Sequence, residues 1–454
     1  MEASSNDTRL FNELIDIVID HLHDDKASLA ACSLVSRTWR NSGQFHLLES
    51  VTLLGVTSEK GLGLDAFLAS VAQSPRIGHY VRELRVHGEG SWFGKYTPTE
   101  LRALSLGPTH IRALVQLPAL RRLFLFDLLW NSHRDGPEGL ALIRGPAARR
   151  GLQKLVVQHV TSARFQDPGQ IHDGIYAQDA LDILSFFSAV DTFYFGTPRF
   201  EVDGCESPLL APTDIVPHLR FPLPLHIGSL IADPDALDNA RSSLAYDVLD
   251  HVCLSDGLHT FRAKIKPGDI GAVSHFVSTR AQSIRHYQLD MSAYIALARL
   301  GARETFSSLC LSSCTNLETF ELHTPWYPPE HLWQYILVAL ASLPETVRRI
   351  HVCVYLTSTL PDCLADACAG LIAPDLAYMT RFPQLATLEF ALRHPHGNDA
   401  AYPYRFQKCK RMIEEVVPAE LKRGVLKVEP CDCLLTPALE PVCLSVLKPS
   451  KPLY

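Results

Sequence analysis

Residues 284–289 read IRHYQL, 317–322 read LETFEL and 347–352 read VRRIHV. Each sets an apolar residue, two others, an apolar residue, one other and a last apolar residue, centred on Tyr287, Phe320 and Ile350. Within such a copy apolar and polar positions alternate, the period of a strand with one face in a core. Working outward, the pattern returns as LHTFRA around Phe261 and LATLEF around Leu388. Toward the N-terminus it returns as VDTFYF around Phe193, LQKLVV around Leu155, LRRLFL around Leu123 and VRELRV around Leu84. Weaker copies are LESVTL at Val51, IGSLIA at Leu230 and KRGVLKV near the C-terminus.

Helical patterns lie between several copies: 64–73, 179–187, 331–343 and 407–417. One apolar triplet arises by chance in a chain that is 47% hydrophobic, so the recurrence carries the argument. Centres are separated by roughly 26 to 39 positions, the strand-plus-helix spacing of leucine-rich-repeat solenoids, though longer and less regular than the tidy classes. The asparagine that usually follows the strand in regular repeats is missing. The expectation is an α/β fold with parallel strands, in which about eleven irregular leucine-rich-repeat-like units span 49–433. Parallel strands would line a concave face. Its outward position is the residue before the last apolar one: Arg85, Phe124, Val156, Tyr194, Arg262, Gln288, Glu321, His351 and Glu389. All but Val156 are candidate target-binding residues. Segments 88–110, 127–150 and 197–226, rich in Gly, Pro and His, read as projecting loops, and 434–454 as an irregular tail.

The chain has 454 residues and a net charge of -7, with Lys and Arg in the minority. That balance argues against a nucleic-acid partner, which wants a basic face. No apolar run reaches the length of a membrane span, and the opening MEASSNDTRL lacks the basic start of a secretory signal. A soluble monomer of the cytosol or nucleus, with its twelve cysteines reduced, is the expectation.

Residues 10–23, LFNELIDIVIDHLH, have helical periodicity with two apolar stripes. Leu14, Ile17, Val18 and Leu22 form one; Phe11, Ile15 and Ile19 form the other. A helix KASLAACS with Asp24 or Asp25 as its cap follows, and then SRTWRNSGQ, with Gly43 as its stop signal. One small unit has little interior for two stripes, so the Phe11–Ile15–Ile19 stripe wants cover from a partner or from the first repeat. The series Leu10, Glu13, Leu14, Ile17, Leu22, Leu29, Cys32, Leu34, Val35, Ser36, Arg37, Trp39 and Arg40 resembles the F-box motif, and QFHLLESVTL resembles the way fungal F-box proteins pass into their first strand. The resemblance implies an F-box module at 8–48 that docks to a Skp-type adaptor and, through it, a cullin. The chain would then be the substrate-recognition adaptor of a ubiquitin ligase, not an enzyme, with the repeats holding a protein target. By the same resemblance the adaptor contacts would be Leu10, Phe11, Leu14, Ile17, Leu34, Val35 and Trp39. Where the family usually has proline, this chain has Phe11.

No nucleophile elbow, phosphate-cradling glycine loop or H-E-x-x-H stands in the sequence. Cys310-x3-Cys314, Cys363-x4-Cys368 and Cys431-x-Cys433 lack zinc-site spacing, so no metal or cofactor is expected. Trp92 and Trp130 fall in expected loops. Two rivals stand beside the ligase reading. One is a ligase-independent repeat protein. The other is an enzyme whose site would lie in 127–226, where histidines and carboxylates could converge.

Overall fold

The structure is a computed structural model. It describes residues 12–54, 63–88, 104–132, 134–144, 149–162, 175–196, 200–201, 224–233, 243–254, 256–265, 270–291, 309–325, 336, 338–355, 381–393, 402–416 and 425–430. The fold is mixed α/β, with a parallel sheet of twelve strands taken in chain order. Two compact units divide the chain, 1–190 and 191–454.

The first unit opens with three helices, α1 (Asn12–His21), α2 (Lys26–Val35) and α3 (Arg37–Leu48). Asp25 caps α2 by accepting from Ser28 N (3.0 Å) and Ser28 Oγ (2.6 Å), which holds its carboxyl below the ordinary value. Ser36 caps α3 through Trp39 N (3.3 Å). Gly43 does not stop α3. It is buried in mid-helix, where a Cβ would stand 3.3 Å from both Leu29 O and Ser33 Cβ, so glycine is there to let α2 and α3 approach. The expected order of the stripes is also reversed. Ile15 and Ile19 close on Leu29 as the module's own core, with Leu22, Cys32, Trp39 and Leu47 around them, whereas Leu14, Ile17 and Val18 are left exposed.

Strands β1 (Ser50–Leu54), β2 (Glu83–His87), β4 (Arg122–Phe126) and β6 (Arg150–Gln158) follow, with β3 (Ser105–Leu106), β5 (Leu129–Trp130) and β7 (Thr161–Ser162) in a small side sheet. Their register puts Val51, Leu84, Leu123 and Leu155 side by side, the last three fully buried. Helices α4 (Leu64–Gln73), α5 (Arg76–Tyr80), α6 (Pro108–Val115), α7 (Gly136–Arg144) and α8 (Ala177–Leu184) connect them, β8 (Ile175–Tyr176) precedes α8, and the division at 190 falls within β9 (Phe187–Gly196). Parts of the expected loops are therefore regular structure. Pro108 starts α6 at a helix N-terminus that needs no N–H, and Trp130 is buried in β5. Trp92 lies outside the described residues.

The second unit carries β10 (Phe200–Glu201), β11 (His226–Ala232), β12 (Thr260–Lys264), β13 (His286–Asp290), β14 (Thr319–Pro325), β15 (Arg349–Tyr355), β16 (Thr387–Arg393) and β17 (Leu426–Pro430). Helices α9 (Ser243–Val252), α10 (Ile270–Arg280) and α11 (Tyr402–Val416) lie between them. Register aligns Leu230, Phe261, Tyr287, Phe320, Ile350, Leu388 and Leu426 in one row. Tyr246 of α9 and Phe276 of α10 pack on Phe261, whose ring stacks on Tyr287 at 5.4 Å. The helices thus cover the face that carries the apolar centres, and the intervening positions point the other way.

Two devices join neighbouring strand-and-helix units. In the first, the residue before each strand offers its carbonyl to two successive N–H groups of the next. Arg285 O accepts from Glu318 N (2.8 Å) and Thr319 N (3.0 Å), Glu318 O from Arg348 N and Arg349 N, and Arg82 O from Arg121 N and Arg122 N. In the second, an arginine caps the carbonyls at the end of the preceding helix. Arg150 donates to Val115 O (3.2 Å), Leu117 O, Pro118 O (2.7 Å) and Leu120 O (2.7 Å). Arg280 donates to Asp250 O (2.9 Å) and Cys253 O (2.8 Å) and pairs with the Asp250 carboxylate. Arg381 donates to Leu340 O, Ala341 O and Leu343 O.

Candidate functional site

On α1, residues 14, 17 and 18 share a face because they are three and four apart. Leu14 is 47% exposed, Ile17 51% and Val18 43%; at the end of α2, Leu34 is 86% exposed and Val35 70%. Large apolar side chains left this open beside a closed core are the informative exception on a surface. Of the seven expected adaptor contacts, Leu14, Ile17, Leu34 and Val35 are accessible. Trp39 instead packs against the core, and Leu10 and Phe11 lie outside the described residues. Val18 belongs to the exposed face although it was not among the seven. Its signal was its place one turn after Leu14.

Within each unit, expected outward strand residues fall into a column. Arg85, Phe124 and Val156 are register partners in the first unit, as are Arg262, Gln288, Glu321, His351 and Glu389 in the second. Not all are accessible. Phe124, Val156 and Tyr194 are buried, Phe124 between Arg85 and Phe126, and Tyr194 donates its hydroxyl to Asp233 Oδ2 at 3.1 Å. Aromatic and aliphatic side chains at those positions fill space instead of offering contacts. The part-exposed members are Arg85, Arg262, Gln288, Glu321, His351 and Glu389.

Three adjacent members of the column, Gln288, Glu321 and His351, form a connected polar group with His323. Glu321 accepts from His323 Nε2, and His351 Nδ1 stands 3.5 Å from the same carboxylate oxygen. His323 Nε2 is also 3.0 Å from Gln288 Nε2. One ring nitrogen cannot accept from an amide and donate to a carboxylate together, so the Gln288 amide presents its oxygen there and His323 Nε2 carries the proton. Burial pushes the Glu321 carboxyl up, but hydrogen bonds and charge from His323 and His351 outweigh it and hold the group well below the ordinary carboxylate range. Burial lowers His351, and the Glu321 hydrogen bond with the charges of Glu321 and Glu389 reverses this and leaves it raised. Its Nε2 is buried with no hydrogen-bond partner among the described residues. Residue 323 was not singled out in the sequence; its position two residues after Glu321, on the same strand face, was the available signal.

In 127–226, His159 Nδ1 approaches Asp127 Oδ1 at 3.2 Å, and both residues take left-handed backbone, φ 51 and 53. The two follow β6 and β4 directly, where the turn off each strand accounts for that conformation. Cys253 and Cys314 are free thiols that burial pushes up to about 12, far from a reactive thiolate. Among the described residues no group of three His, Cys, Asp or Glu side chains is placed to hold a metal ion, and no helix is long and apolar enough to cross a membrane. No protein-family model matches this chain, and no curated protein matches it.

Proposed function

We propose that the chain is the substrate receptor of a cullin-type ubiquitin ligase, docking to a Skp-type adaptor through α1 and α2 and holding a protein target on its strands. The observation that carries the reading is the exposed set Leu14, Ile17, Val18, Leu34 and Val35 on a helical unit whose core is already closed by Ile15, Ile19 and Leu29. Each Å2 of that apolar surface covered by a partner contributes about 25 cal/mol. A helix face entering a partner's groove is an ordinary recognition mode. The resemblance of 10–40 to the F-box motif selects the partner, and the parallel strand-and-helix units are read as irregular leucine-rich repeats. On this reading the protein works in the cytoplasm or nucleus.

Co-expression with a Skp-type adaptor tests the proposal. Wild type should co-purify with it, and Ile17→Asp should not, while remaining folded because its side chain is half exposed and outside the closed core. Ile19→Asp should unfold the module, since it puts a charge into the core. Phe11→Pro, the family's usual residue, should bind at least as well as wild type. If wild type shows no association and Phe11→Pro restores none, the ligase reading falls and the ligase-independent interaction protein takes its place.

A further inference from the structure

Glu321 sits between two imidazoles on the sheet face opposite the helices, and the charge of that whole face can be read from the register. Lys264 is paired with Asp233 at 3.3 Å, so the two cancel. Four other cations point to the same side of β12 to β17: Arg262, Arg349, Arg393 and Lys427. Four carboxylates oppose them: Asp290, Glu321, Glu389 and Glu429. Among the described residues, then, the fixed charges balance. The imidazoles on that side are His286, His323 and His351, and the buried Cys353 lies there too, in register with His323.

We propose that this strand face is a proton-gated docking surface for an acidic segment of a partner protein, close to neutral when the imidazoles are neutral and cationic when they are charged. The gain on protonation is not offset at Glu321, the carboxylate between the rings. Glu321 stays ionised throughout, held by His323 and His351. Nor does the added charge strain the cluster, since the carboxylate that receives it is already in place between the rings. His351 is the principal gate: Glu321 and Glu389 flank it in register, and its side chain is part-exposed, so the charge it gains on protonation is felt on the face that an acidic segment would meet. The second column, from Arg262 to Lys427, gives an extended acidic segment cations at both ends and His351 between them.

This inference rests on reading the face as the target-holding surface, not on adaptor docking, and its test omits the adaptor. The probe is a labelled hexaglutamate peptide, whose carboxylates stay ionised at about pH 6, titrated by fluorescence anisotropy against the full chain at low salt. Wild type should bind about tenfold more tightly at about pH 6 than at about pH 7.8. His351→Gln keeps a hydrogen-bonding side chain but cannot titrate, and should reduce that ratio to about threefold or less. His79→Gln, an exposed change in the first unit, should leave it intact. Glu321→Gln should tighten binding at the higher pH and move the midpoint of the pH dependence downward, which a merely structural role would not do. Thermal melts confirm that each variant is folded. The proposal is overturned if wild type does not bind the peptide, binds it equally at both pH values, or shares its ratio with folded His351→Gln.

Discussion

At the scale of single residues, the arginines carry information that the sequence hides. Arg150, Arg280 and Arg381 look like surface charges by composition, yet each satisfies carbonyls that a helix end leaves without partners. A guanidinium offers several donors in a plane and can serve two to four carbonyls together, whereas an ammonium is a point charge. Replacing Arg150 by Met should lower stability to urea by about 2 to 4 kcal/mol, because it leaves acceptors unpaired as well as losing charge-assisted bonds. Arg150→Lys should recover less than half of that loss. A Lys variant as stable as wild type would show that the carbonyls find water instead. The triplet pattern could not disclose these residues, since their partners lie 27 to 41 positions upstream and only the fold brings them near.

Individual elements were legible wherever one physical period dominated. The 64–73 helix begins and ends as the apolar spacing places it, and the strand copies are found at their expected centres. Helices α6 and α7 were hidden by the glycines, prolines and histidines around them, which read as loop although Pro108 belongs to a helix start. On α1 both stripes were visible, but which one turns inward depends on where α2 and α3 lie, and sequence period cannot decide it. Gly43 was misread for a related reason: glycine ends many helices, but here it is the contact point of two. The Gly43→Val variant should therefore destabilise α3 against α2 despite a better helix former at that position, by about 1 to 3 kcal/mol. Circular dichroism melts would check this. A rise in melting temperature would mean that the helices separate at no cost.

For the whole molecule, the aligned rows imply that stability is shared among neighbours rather than concentrated in one centre. Leu123→Ala and Ile350→Ala each remove a buried centre and should each cost about 2 to 5 kcal/mol. Because they belong to different compact units, the double variant should lose the sum of the two within about 0.5 kcal/mol. A clear excess over the sum would indicate one cooperative core. The recurrence of a triplet sufficed to give the parallel strands and their register, since every copy presents the same side to the helices. It did not reveal which outward positions are accessible, because Phe124 and Tyr194 are themselves covered. The candidate site was legible in part on the same terms: the motif residues pointed to the helical module, while Trp39 is half-buried against the core and Val18 is surface.

The arginine caps also set an order in time. Leu117 is capped by a residue 33 positions later, Asp250 by one 30 later and Leu343 by one 38 later. During synthesis each of these helix ends must emerge, and wait, before the chain that completes it has been made. At about 5 to 20 residues per second that delay is roughly 2 to 8 s. At each of these three points the growing chain carries an unfinished edge, sealed only by the piece that follows, and a ribosome that pauses just before codon 150, 280 or 381 would prolong the exposure of that edge.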